Sequence, residues 1–188
     1  MHRMTHLFWG RPSPAGRRPR APRVAALTLA LALAILPGAV LAQAQRTVLT
    51  GTDQRFFGAP ARVWVADGLT QVRGIPQTGT FAFSGAGVTL AGTENDLVNG
   101  TLDAGGNGHA WGMVSFTDTA SGVTCSGISQ GEITHGLAVN SVVAHCSDGA
   151  VLKGTLRDTE AYPAGQAPPT WVKSTFTGVL LSPGKDEG

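Results

Sequence analysis

The sequence predicts an all-β fold: a single antiparallel barrel or sandwich of about 8–10 strands with one disulfide. Three observations predict it. Short runs with alternating apolar residues recur along the chain. Gly, Asp, Asn and Pro separate them, and the 188 residues include 26 glycines. No long stretch spaces its apolar residues at the helical period. Short connectors between such runs favour antiparallel neighbours.

The first 44 residues stand apart. Residues 1–23 hold six arginines and no acid, and "VAALTLALALAIL" (24–36) follows. A basic start, a short apolar core and the small-residue exit "AVLAQAQ" read as a secretory signal peptide. Cleavage is expected after Ala42 or Ala44. The 13-residue apolar run is short of the roughly 20 residues that span a bilayer. No membrane span is therefore expected after cleavage. The expected destination is a bacterial periplasm or the extracellular space. Beyond Ala44 the chain has 8 basic and 12 acidic residues, a formal charge of −4. A mildly acidic surface without Lys/Arg clusters argues against nucleic acid and anionic membranes.

Residues 45–182 form the expected β domain. Its candidate strands begin with 62–66, 69–75, 80–84, 87–92 and 97–103. They continue with 109–116, 122–129, 138–147, 150–158 and 170–181. "EAYPAGQAPPT" (160–170) reads as a long Pro-rich loop, and 183–188 as a flexible tail. Alternation assigns faces. Val142, Ala144 and Cys146 share one side of their run, and His145 takes the other. Val172, Phe176 and Leu180 form a core face, with Trp171 and Lys173 outward.

Cys125 and Cys146 are the only cysteines. In an exported protein they meet an oxidising compartment. They sit on two runs expected to be adjacent, so they read as a structural disulfide. Redox chemistry would need a Cys-x-x-Cys or a cationic neighbourhood, and neither is visible. His109, His135 and His145 lack metal-ligand spacing, so no metal or other cofactor is expected. The carboxylates read as turn residues, and "TEND" (93–96) as a loop that brings Glu94 and Asp96 to one side. No G-x-S-x-G elbow is present. An enzyme would need a cleft in which one of the histidines meets a carboxylate or serine.

Trp64, Trp111 and Trp171 remain as candidate ligand-binding residues, because clustered exposed aromatics mark binding surfaces. Asn99-Gly100-Thr101 matches a glycosylation sequon but lies inside an expected strand.

The paired cysteines ending in "CSDG", with "KGTL" following, resemble small exported bacterial all-β domains of unknown function. This resemblance implies fold and compartment. "TWVKSTFTG" (170–178) also resembles the W-K-S-T strand of avidin-type biotin binders, eight-stranded barrels; no site residue is carried over from it. The function expected is a non-catalytic binding or interaction module of the cell envelope, with a protein or envelope partner. The alternative is a small-ligand-binding β-barrel with a pocket lined by the tryptophans. A hydrolase ranks third.

Overall fold

The computed structural model describes residues 44–163 and 168–184. The expected signal peptide, apart from Ala44, lies outside the described residues. Nine strands follow in order: β1 Gln45–Phe57, β2 Arg62–Ala66, β3 Leu69–Gly85, β4 Val88–Leu102, β5 Gly108–Asp118, β6 Thr124–Thr134, β7 Leu137–Cys146, β8 Val151–Tyr162 and β9 Trp171–Ser182. All pair antiparallel. The sheet order is β1-β9-β8-β7-β6-β5-β4-β3-β2, and β1 also pairs with β3. That extra pairing closes eight strands into a barrel and leaves β2 as a ninth, paired only with the start of β3. The choice between barrel and sandwich is thus decided for the barrel. Closure removes the free edges of the eight barrel strands, and β2 keeps one unpaired edge.

Turn chemistry sets the register. Asp67-Gly68, Ala86-Gly87 and His135-Gly136 each form a two-residue connection with both φ angles positive. This is the type I′ hairpin, whose twist matches that of the flanking strands. His135 is therefore a turn residue. A bulge in β3 sets Val72 opposite Gly100 but Ile75 opposite Val98. The extra residue shifts the alternation by one, so Val72 and Ile75 both point inward. Gly74, at φ 64°, sits in the bulge, and its N–H donates to Asn99 Oδ1 at 3.0 Å.

One end of the barrel is filled by apolar side chains. Phe83 stacks on Phe176 at 4.1 Å between centroids, and Phe81 and Phe116 meet edge to face at 5.3 Å. Leu49, Val142, Leu152 and Leu180 complete this packing. Cys125 and Cys146 are direct cross-strand partners on β6 and β7 and form the expected disulfide at this end. Both are buried, whereas His145 is exposed on the outer face, as alternation predicts.

Several boundaries differ from expectation. Residues 45–57, assigned to no candidate strand, form β1. The runs 69–75 and 80–84 join through Pro76 into one 17-residue strand. The "TEND" loop does not exist: residues 93–96 lie in the middle of the 15-residue β4. The Pro-rich loop begins later, because β8 extends to Tyr162.

Candidate functional site

Above the phenylalanines the barrel interior becomes polar. Asp53 and Arg55 on β1, Glu94 and Asp96 on β4, and Ser174 on β9 are all buried. The Asp158 side chain on β8 joins them with 5 % exposure. These residues sit at inward positions of their strands, in phase with core residues. Asp53 and Arg55 share a face with Leu49, and Glu94 and Asp96 share one with Leu102.

Arg55 organises the layer. Its Nε donates to Asp53 Oδ1 at 3.1 Å. Its Nη2 donates to Asp158 Oδ1 at 2.9 Å and to Ser174 Oγ at 2.7 Å. Ser174 Oγ in turn donates to Asp158 Oδ1 at 2.7 Å, and the Ala138 N–H donates to Asp158 Oδ2 at 3.0 Å. Asp158 is thus fully partnered.

The acids near β4 are not. Glu94 is 1 % exposed, and neither of its carboxyl oxygens has a donor. One oxygen each of Asp53 and Asp96 is likewise unpartnered. Asp53 and Asp96 are the charged neighbours of Glu94 in this layer. Burial, then the neighbouring Asp53 and Asp96, hold the Glu94 carboxyl well above its ordinary range. Burial pushes Asp53 up to about 6 against the pull of Arg55, and it raises Asp96 as well. For Arg55 the surrounding acids outweigh burial, so it stays charged. The physical reason is the ratio: four buried carboxyls face one guanidinium, and like charges in a dry interior cannot all ionise.

A cavity of about 70 Å³ opens from this layer toward the other end of the barrel. By volume it accommodates about two waters. Arg55, Gln77, Asp96, Ser129, Asn140 and Asp158 supply its polar wall. Phe57, Ile75, Val98, Leu102 and Val172 supply its apolar wall, and Pro168 and Pro169 also line it. Gln77 and Asp96 are register partners across β3 and β4, so their side chains lie side by side. Gln77 Oε1 and Asn140 Oδ1 are buried without a hydrogen-bond donor. Such atoms are uncommon in folded proteins, and each calls for a partner or a role. Among the described residues, no group of three or more His, Cys, Asp or Glu side chains has the geometry to hold a metal ion.

None of the three tryptophans lines this cavity. Trp64 and Trp111 both face the Arg73 guanidinium on the outer surface, which lies 5.1 Å from the first ring and 4.6 Å from the second. Arg62 covers Trp64 at 4.5 Å, and His109 stacks on Trp111 at 5.7 Å. Trp171 lies apart from them, stacked on Tyr162 at 6.1 Å. His109 Nδ1 lies 3.2 Å from Glu132 Oε1, but the pair is exposed on the barrel wall rather than set in a cleft.

No family model, curated protein or solved structure matches the chain.

The expectation that carboxylates serve turns holds for Asp103 and Asp118. Asp103 Oδ1 accepts the Gly105 and Asn107 N–H groups, each at 2.8 Å. Asp118 accepts from the Ala91 N–H and from Ser121. It is corrected for Asp53, Glu94, Asp96 and Asp158, which face the interior. The missed signal was parity. Read as one strand, 88–102 places Glu94 and Asp96 in step with Leu90, Val98 and Leu102.

Proposed function

We propose that this chain is a non-catalytic, small-ligand-binding β-barrel. The observation that carries the reading is the polar-floored cavity, lined by Gln77 and Asn140 beside Asp96, each amide with a buried oxygen that has no hydrogen-bond partner. Ligand sites of this kind combine mostly apolar walls with a few fixed polar groups. Unsatisfied buried polar atoms cost free energy that a bound partner would offset. The tryptophans leave the proposed pocket, and the interior residues take their place. Export to a periplasm or the extracellular space remains part of the proposal. The leader-like residues 1–44 and the disulfide support it. No helix among the described residues is long and apolar enough to cross a membrane.

The testing experiment is a thermal-stability screen of the disulfide-bonded protein against small molecules of differing charge. Ala110 is buried and lines the cavity, so the A110L variant fills it. Compounds that raise the melting temperature of the parent should have no effect on A110L. If no compound separates the two proteins, the reading fails.

A second reading, an interaction module of the cell envelope, draws on the outer wall. There the Trp64–Arg73–Trp111 stack adjoins a row of exposed apolar residues, Leu97, Met113, Ile128 and Val143, which are register partners on four successive strands. Aromatic and arginine side chains are enriched where proteins meet. Disruption of the outer wall by M113E and I128E would then abolish partner capture while leaving the cavity intact.

A further inference from the structure

We infer that β2 is a docking edge for a second copy of this chain, the two β2 strands pairing antiparallel about a twofold axis at Trp64. The free edge comes from the way the barrel closes. β1 and β2 lie along the same edge of β3. β9 begins at Trp171, opposite Phe56, and the last backbone bond on that side of β1 runs from the Phe57 N–H to the Thr170 carbonyl at 2.9 Å. β2 therefore runs past the strand that covers β1. Among the described residues, all the strand pairing of β2 is with β3, and residues 62–66 make no other backbone hydrogen bond. An antiparallel strand spends the N–H and C=O of alternate residues on one neighbour and turns those of the rest the other way. The occupant such a row accepts is another extended strand.

That the strand is a second copy follows from self-complementarity. Sheet edges are commonly guarded by lysine, proline or a bulge. β2 reads Arg-Val-Trp-Val-Ala and has none of these. Its end charges are opposite in sign: Arg62 opens the strand, and Asp67 follows its last residue. An antiparallel copy brings each Arg62 toward the other copy's Asp67, so the charge match is made twice by symmetry. Parity fixes the register. Only residues that turn their N–H and C=O to the free edge can exchange bonds, so even-numbered residues meet even and odd meet odd. The register that uses the whole strand sets Trp64 opposite Trp64, Val63 opposite Val65 and Arg62 opposite Ala66. Val63 and Val65 are 54 % and 70 % exposed, although Val63 pairs within its own chain with the inward Val72. Pairing covers the valines with each other, and β-branched and aromatic cross-strand pairs are among those that stabilise sheets. One five-residue strand makes a small contact, so the dimer is weak and forms with rising concentration.

The test is sedimentation velocity of the disulfide-bonded protein, purified from an exported fraction, from micromolar to near-millimolar concentration. The parent should pass from monomer to dimer across that range. Two double variants follow, V63K/V65K and V63E/V65E, both at exposed positions. Each sets like charges opposite each other across the axis and should weaken association at least about tenfold. An equimolar mixture of the two sets lysine opposite glutamate at every substituted pair. It should recover the dimer, which neither variant forms alone, and recovery also shows that both are folded. A parent that stays monomeric throughout, a dimer that both variants retain, or a mixture that stays monomeric would overturn the inference. So would a dimer lost in M113E/I128E but kept in V63E/V65E, because association would then lie on the outer wall.

Discussion

Gly154 and Gly178 face each other across β8 and β9, and the ring of Phe176 lies over both. A β-carbon on either glycine would stand 2.5 Å from that ring. The two missing side chains are what let Phe176 lie flat and stack on Phe83 at 4.1 Å. The apolar end of the barrel is thus shaped by where side chains are absent as well as by where they are present.

Gly154→Ala should destabilise the protein by about 1–3 kcal/mol, the usual cost of overpacking a filled core. Gly100→Ala is the control, because its nearest neighbour would be a carbonyl oxygen at an ordinary 3.6 Å. It should cost less than about 1 kcal/mol. Urea denaturation of the two variants checks the difference.

Loss of the Cys125–Cys146 bridge should cost about 3 kcal/mol, because it closes a loop with a sequence separation of 21. The two residues are already register partners, so a C125S/C146S protein should retain its β-sheet signal in circular dichroism. It should unfold at lower denaturant with the fold otherwise unchanged.

Arg55→Met should be among the most damaging single changes, at about 3–5 kcal/mol near neutral pH. It removes the donor to Asp53 and Asp158 while leaving both acids buried. Pairing it with D158N should recover part of the loss. A double-mutant cycle by chemical denaturation measures the coupling.

The pH dependence of stability should run opposite to that of a protein held by exposed ion pairs. Asp53 rises from 3.8 unfolded to about 6 folded, so the folded state binds more protons across that window. Stability therefore falls as pH rises from about 4 to 6, by on the order of 2–3 kcal/mol. Glu94, held well above its ordinary range, extends the fall upward, and the raised Asp96 adds to it. Asp118 is lowered by its Ser121 and Ala91 partners, so its contribution is lost as pH drops through the acid range. Glu94→Gln removes one acid from beside Asp53 and Asp96. It should flatten the decline toward alkaline pH. Melting temperatures of parent and E94Q from pH 4 to pH 8 check this.

The sequence shows the apolar half of this molecule better than the polar half. Val142, Ala144 and Cys146, or Val172, Phe176 and Leu180, announce their face because their residue types agree with their parity. Glu94 and Asp96 are acids at inward positions, and composition there argues for a loop while parity argues for a strand. Closure decides for parity: once β1 pairs with both β3 and β9, every inward position is enclosed whatever residue occupies it. The candidate site draws residues from all eight barrel strands, and no stretch short enough to read as a motif contains it. Trp64 and Trp111 do cluster, as an exposed aromatic pair would, but they flank Arg73 on the outside.

The most direct test of the interior site is native mass spectrometry of the protein purified from an exported fraction, with A110L alongside. A reproducible low-mass adduct is expected on the disulfide-bonded parent, absent from A110L and released on denaturation. The bare polypeptide mass in both proteins, under conditions gentle enough to retain a known noncovalent ligand on a control protein, would contradict it.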